Sequence, residues 1–383
     1  MDESKRAFIA DALQGIVEKV RNGVPSQKIG LMAAGSELGQ EELLRGGLLA
    51  QAEYPQLRVV AIGPRTPGFD ELEWIETLDL EANITAAAQK AVEEGTVAGV
   101  VAMHFPFPIG VTTIGRVMTP GYGRPMFIAS CTGSSAAERS EALLRNAVYG
   151  IATAKACGIA KPKVAFLNID RGGSALRALS RLQENGYTVN LGTSKRGDGG
   201  SLLRGNDLVA GAVDVLVCDT LTGNVLVKLF SSFTTGGQYE SIGWGYGPSV
   251  GENWTHVVSI ISRASGAPVI ANALALTAKA VAGQLSGKVA AELRAAKAAG
   301  FDAVLEELNP KVVAAESITK PQAVPVDAEI AGVDVLDMEN AMHTLWREGL
   351  YAETAMGCTG PVVRVQTAVK DKAMDILKRA GFI

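Results

Sequence analysis

Asp219, Gly223, Asn224 and Lys228 sit within one short run, CDTLTGNVLVK, and their types and spacing can do chemistry on an acyl group and on phosphate. The preceding VDVLVCD, from Val213, is apolar and β-branched, so Asp219 falls at a strand end. The following VLVKLFSSF reads as a helix, and residues four apart share one helical face, so Asn224 and Lys228 lie together. A carboxylate, an amide and an ammonium converging at a strand mouth can orient an acyl carbonyl and neutralise a phosphate. A capped helix with a solvated lysine explains the same residues.

Two other junctions have the same form. After KVAFLNI, from Lys163, come Asp170, Arg171, Gly172, Gly173 and Ser174, then the helical run ALRALSRLQENG. Two glycines, a hydroxyl and a guanidinium at a helix start suit phosphate, because free amides and the helix dipole both favour an anion there. A glycine-rich turn capped by Ser174 is the bland alternative. The third junction, Gly35-Ser36-Glu37-Leu38-Gly39, lacks the G-x-G-x-x-G spacing of a dinucleotide site. The strand after it, LRVVAIG, also ends without a ribose-binding acid.

Four cysteines are scattered without any CxxC pair, which points to reduced thiols, no metal site and a cytoplasmic protein. Cys358, followed by Thr359, Gly360 and Pro361, precedes apolar positions Val362, Val365, Val369, Ala373, Ile376 and Ala380 at helical spacing. That places the thiol at an expected helix N-terminus, where a thiolate is stabilised. Cys131 has the same Cys-Thr-Gly start and is the rival, whereas Cys157 and Cys218 read as core. Of three histidines, His104 lies at a strand mouth and is the candidate general base, with a structural histidine in a Pro-Phe loop as the bland alternative; His256 reads as helical and His343 lies in MENAMHTLWREGL.

Parallel βαβ units are expected to position these groups. Strands are expected at KIGLMAAG (from Lys28), LRVVAIG (Leu57), VAGVVAM (Val97), PMFIAS (Pro125), KVAFLNI (Lys163), VDVLVCD (Val213) and APVIANA (Ala267). Each is nearly all apolar, as strands covered on both faces must be. A long amphipathic helix over Ala137–Ala156 is expected to link two lobes. KVAAELRAAKAAGFDAVLEELN reads as one helix, and KPQAVPVDAEIAGVDV, from Lys320, as a proline-bearing loop. The expected fold is thus α/β, doubly wound and mostly parallel, with a helical C-terminal extension. Its parts are an N-terminal helix over residues 1–27, a core over 28–286, and an extension over 287–383. A net charge of −4 with no basic stripe argues against nucleic acid, and no stretch reads as a membrane span.

In order, KIGLMAAGSELGQEELLRGGLLAQAEYP, AERSEALLRNAVYGIATAKACGIAKPKVAFLNI and VDVLVCDTLTGNVLVK resemble the PlsX-type phosphate acyltransferases, which make acyl phosphates from acyl-carrier thioesters. Asp219, Gly223, Asn224 and Lys228 match that family's D-G-F-x-G-N-x-x-L-K signature, with Thr220 and Leu221 replacing its glycine and phenylalanine. Where the family has a short G-N-T-G turn, this chain has His104-Phe105-Pro106-Phe107-Pro108-Ile109-Gly110.

With YAETAMGCTGPVVRV, from Tyr351, the whole chain resembles the component C alpha subunits of glycine, sarcosine and betaine reductase complexes. This resemblance implies that Cys358 holds an acetyl group that phosphate removes as acetyl phosphate. It also implies a thiolase-like beta subunit as partner, a carboxymethylated selenoprotein as acyl source, and assembly into an oligomer. No cofactor is expected. The alternative is the acyl-carrier-protein to phosphate transfer of phospholipid synthesis, which has no use for Cys358.

Overall fold

A computed structural model describes residues 27–78, 81–196, 200–308, 319–333, 337–357 and 360–383. The expected N-terminal helix lies outside the described residues except for Gln27, which opens a strand, and Cys358 lies outside them too.

The chain runs β1 (Gln27–Met32), α1 (Gln40–Glu53), β2 (Leu57–Gly63), β3 (Glu73–Glu76), α2 (Glu81–Glu93), β4 (Gly99–Ala102), β5 (Thr112–Met118), β6 (Pro125–Gly133) and α3 (Arg139–Ala156). Next come β7 (Lys163–Leu167), α4 (Gly172–Glu184), β8 (Asn190–Leu191), β9 (Leu202–Leu203), α5 (Gly205–Val209), β10 (Val215–Val217) and α6 (Thr220–Ser232). The first compact unit is completed by β11 (Gly247–Val250), β12 (Val258–Ile260), α7 (Ala267–Ala282), α8 (Leu285–Ala298) and α9 (Phe301–Leu308), and ends at Asn309.

Its strands form one mixed sheet in the order β3-β2-β1-β4-β12-β11-β5-β6-β10-β7-β8, with β9 beside β7. Two parallel blocks, β3-β2-β1-β4-β12 and β6-β10-β7-β8, make the two lobes. Between them β12-β11, β11-β5 and β5-β6 all pair antiparallel. Three successive reversals leave the two blocks running in opposite directions. The carboxyl ends of β1, β4 and β12 therefore lie at one edge of the sheet, and those of β6, β10 and β7 at the other.

Both faces of the sheet are covered, which is why its strands read as apolar runs. Val164, Phe166, Val215 and Val217 pack with Leu143, Leu144 and Val148 of α3 and with Leu179 and Leu182 of α4. Ala165, Leu216 and Cys218, on the opposite face, pack with Val227 and Phe230 of α6. Phe127 and Phe166 are among the largest fully buried side chains, each contributing about 1.5–3 kcal/mol.

The run from Ala267 is not a strand but α7. A proline in its first turn suits a helix start, and Glu42 accepts the Ala267 amide at 2.8 Å. Most of the helix reads as apolar because Val269, Ile270, Ala273, Leu274 and Leu276 are all buried. The expected single helix after Gly287 is broken at Gly300, whose φ of 92° is left-handed, into α8 and α9. Leu293, Phe301 and Val304 join the same core as α3, so this segment belongs to the first unit and the division falls at Pro310 instead of Gly287. Among the described residues no single helix is long and apolar enough to cross a membrane.

The second unit holds β13 (Ala328–Ala331), α10 (Met338–Arg347), β14 (Glu353–Gly357), β15 (Gly360–Val365) and α11 (Lys370–Arg379). Its antiparallel sheet, β13-β15-β14, packs on both helices through Ile330, Leu345, Val363, Val365, Ile376 and Leu377. The extension is helical as expected, but the helix begins at Lys370 and not at Pro361. Val362, Val363 and Val365 are β-branched and form a strand, the first two paired on both sides and Val365 with Ala328. Cys358 therefore precedes a strand in the chain, and the helix-dipole argument for its thiolate falls. The expected loop from Lys320 likewise contains β13.

Candidate active site

Helix α6 follows β10 as expected but starts at Thr220, about one turn before the VLVKLFSSF run, so Asn224 lies inside the helix and Asp219 is its cap. The Asp219 carboxylate caps it, accepting the Thr222 amide at 3.0 Å and the Thr222 hydroxyl at 2.6 Å. Such a cap is worth about 1 kcal/mol. Gly223 brings the first turn onto β6 so closely that a Cβ there would meet the Ser130 carbonyl oxygen at 1.8 Å. One residue on, the Asn224 amide donates to the Cys131 carbonyl at 3.2 Å. Thr220 adds a hydroxyl contact to Ser130 at 2.7 Å and donates to the Gly133 carbonyl at 3.1 Å. One turn beyond Asn224, the exposed Lys228 places its ammonium 5.5 Å from the centroid of the Tyr246 ring.

The Arg171–Ser174 loop opens α4 after β7. Arg171 is left-handed, with φ of 63°, and its exposed side chain forms no ion pair among the described residues. Gly172 is buried where a Cβ would meet the Leu167 carbonyl oxygen at 2.5 Å, while nothing stands closer than 3.7 Å to a Cβ at Gly173. Ser174 does not cap the helix; its hydroxyl accepts from Arg177 at 3.1 Å. Asp170 pairs with Arg139 at 3.1 Å.

Adjacent parallel strands bring this loop and the Asp219–Gly223 turn to the same edge of the sheet. The helices behind them, α4 and α6, cover opposite faces. His104 and Gly35 follow β4 and β1 and so lie at the other edge, which the sequence does not distinguish. There, with Arg263, Glu81 and Met103, they line a cavity of about 150 Å³. Arg263 donates to the Gly35 carbonyl at 3.1 Å and pairs with Glu81 at 3.2 Å. Helix α6, about 20 Å long, runs back from the first edge toward this one and carries Lys228 away from the capped end.

Beyond α6 stands a buried polar cluster. Tyr246 donates to one oxygen of Glu240 at 3.0 Å and Ser265 to the other at 2.9 Å, while Ser262 accepts the Ala264 amide at 3.2 Å. Burial pushes the Glu240 carboxyl up, against the hydrogen bonds of Ser265 and Tyr246 and the charge of Lys228. Sequence reasoning missed Glu240, Tyr246 and Arg263. The signal for Arg263 was a strand mouth after VVSI, hidden by assigning the strand to APVIANA instead.

Cys131 lies within β6, not before a helix, and is fully buried, with its thiol pushed up to about 12 by burial. Burial raises Cys157 to about 11 and Cys218 well above the ordinary thiol range. His256 lies between β11 and β12, not in a helix, edge-on to Trp254, whereas His343 is in α10 beside Trp346. A wider cavity of about 590 Å³, at the carboxyl end of β6, is lined by Gly110, Ser135 and Trp254 and by none of the residues expected to be catalytic or phosphate-binding. Its arginine, Arg145, is already neutralised by Glu141 at 2.7 Å and Glu252 at 3.1 Å.

The profile of the family described as fatty acid synthesis protein matches residues 27–364. The glycine/sarcosine/betaine reductase complex component C subunit alpha of Peptoclostridium acidaminophilum is 46% identical over 359 residues, covering 93% of this chain and 92% of that one. A phosphate acyltransferase of Thermotoga neapolitana is 29% identical over 234 residues, covering 52% of this chain and 68% of its own. A branched-chain phosphotransacylase structure from Enterococcus faecalis aligns over 67% of this chain and 99% of that one, with a TM-score of 0.46 and 17% identity. The chain belongs to the fatty acid synthesis protein family and, within it, to the component C alpha subunits with a PlsX-type phosphate acyltransferase core.

Proposed function

We propose that this chain transfers an acetyl group to phosphate, as the alpha subunit of a glycine, sarcosine or betaine reductase component C. The observation that carries this reading is α6, capped by Asp219 and seated by Gly223, with Asn224 and Lys228 on one flank at the family's signature positions. An ammonium on a rigid helix neutralises a phosphate without being ordered at the moment of reaction. The loop at Arg171, Gly172, Gly173 and Ser174 lies at the other end of α6 from Lys228 and on the opposite face of the sheet, so it is proposed as a separate anion-binding group, a guanidinium at the start of α4.

The acetyl group is carried as a thioester on Cys358. A phosphate oxygen attacks the carbonyl carbon, the C–S bond breaks with its electron pair on sulfur, and a C–O bond forms, giving acetyl phosphate. The thiolate then takes up a proton from solvent. Passing through the thiol divides one transfer into two easier ones. A thiolase-like beta subunit and a carboxymethylated selenoprotein are the proposed partners, His104 the proposed general base, and an oligomer in the cytoplasm the proposed state.

Arsenolysis tests the reading. The purified chain, given arsenate, is expected to release phosphate from acetyl phosphate faster than from medium-chain acyl phosphates. A preference for medium chains would move the chain to acyl-carrier chemistry, and no turnover at all would make it a scaffold for its partner.

A further inference from the structure

Glu240 belongs to no motif in the sequence, yet it is the carboxylate most thoroughly enclosed near α6. It is 3% exposed, and Tyr246 and Ser265, which hydrogen-bond to its two oxygens, are 2% and 0% exposed. Its backbone is fixed as well: the Glu240 amide donates to the Ala264 carbonyl and the Gly266 amide to the Glu240 carbonyl, both at 2.9 Å. The next amide, of Ser241, donates to the Ser231 carbonyl in the last turn of α6 at 2.8 Å. Glu240 and Ser241 together thus join the helix that carries Lys228 to the turn, Ser262–Ser265, that carries Arg263.

A buried carboxylate is expensive unless paired or fully hydrogen-bonded. Here both oxygens accept, which suits the ionised form, since a protonated carboxyl would offer a donor. Among the described residues Glu240 forms no ion pair within 4.0 Å. The cation acting on it is Lys228, whose ammonium rests over the Tyr246 ring that Glu240 holds.

We propose that Glu240 is a positioning residue for Lys228: it locks the Tyr246 ring beneath the ammonium and sets where that cation meets the phosphate. This rests on the acyl-to-phosphate reading above. Glu240 touches no substrate itself. Its effect passes through Tyr246 and Lys228, so it should appear in phosphate affinity and not in acyl affinity.

The test is a double-mutant cycle on the purified full chain, read as calorimetric Kd for inorganic phosphate and as KM for arsenate and for acetyl phosphate. Glu240→Gln keeps the shape but replaces one acceptor with a donor, and is expected to raise phosphate Kd and arsenate KM by about tenfold, leaving acetyl phosphate KM nearly unchanged. Tyr246→Phe, which keeps the ring, should move the same constants in the same direction by less. In a Lys228→Ala background, Glu240→Gln should add nothing. The proposal is overturned by unchanged phosphate Kd in folded Glu240→Gln, or by effects of the two substitutions that simply multiply. Should Glu240→Gln not fold, Tyr246→Phe decides: unchanged phosphate constants overturn the proposal. Loss of the underlying reading looks different, because Lys228→Ala alone would then leave phosphate binding intact.

Discussion

Gly223 and Ser130 are ninety-three positions apart in the chain, yet a Cβ on Gly223 would lie 1.8 Å from the Ser130 carbonyl oxygen. No rotamer relieves that overlap, because the backbone fixes where a Cβ stands and the oxygen it meets is itself backbone. Gly223→Ala must lift the first turn of α6 off β6, breaking the Asn224 bond to the Cys131 carbonyl. A stability loss of about 3 kcal/mol is expected by urea unfolding, with loss of arsenolysis in whatever remains folded. A variant as stable as the parent would show that the helix does not need this approach.

Lys228 is exposed, so its removal should hardly disturb folding. Lys228→Ala is expected to raise KM for arsenate by roughly tenfold or more with little change in KM for acetyl phosphate, the pattern of a lost charge-assisted contact. Initial rates over a matrix of both substrates separate the two constants. Equal shifts in both would assign Lys228 to general architecture.

Three thiols are inert for a physical reason. Cys131 is held at about 12, Cys157 at about 11 and Cys218 higher than the ordinary range, all by burial, so almost no thiolate exists at neutral pH. Brief iodoacetamide treatment of the folded chain should therefore label Cys358 alone, and acetyl phosphate should protect it. Cys358→Ala should abolish acetyl transfer and leave the melting temperature nearly unchanged. Peptide mapping of the label checks the first point; prior labelling of Cys131 would reverse the assignment.

Asp207, in α5, offers a pH-dependent check on the fold. Burial pushes its carboxyl up, but the amides of Arg204 and Lys195 and the Ser194 hydroxyl outweigh this and hold it below the usual carboxylate range. A folded value below the unfolded one, about 3.9, stabilises the fold fully above that pH and loses the contribution as pH falls through the folded value. Asp207→Asn should cost about 2 kcal/mol at neutral pH. The gap in melting temperature between parent and variant should close below about pH 4; a constant gap would show that ionisation plays no part.

Much of the first unit was legible because its determinants are local. Apolar runs such as LRVVAIG and KVAFLNI are strands, the Ala137–Ala156 pattern is α3, and Asp219 with Gly223 and Asn224 marks the start of α6. Strand composition, caps and helical spacing act over a few residues, and these residues carry them openly. The same local rules failed where burial removes the pattern: the first turns of α7, Ala267 to Ala273, are apolar but for Asn272, so this run resembled a strand. They failed again at Val362–Val365, where helical spacing and β-branching point different ways and pairing with Ile330 and Thr354 decided for the strand.

By itself, then, the sequence determined the family, the βαβ alternation and the residues of the α6 signature. Only the tertiary structure decided which edge of the sheet each junction occupies, since that depends on the three antiparallel pairings through β11 and β5. It also decided that Arg263 reaches Gly35 across 228 positions and that Ser265 and Tyr246 enclose Glu240. Such hydrogen bonds, at separations of 6, 25 and 228 positions, follow no helical or strand period and so leave no periodic trace in the chain.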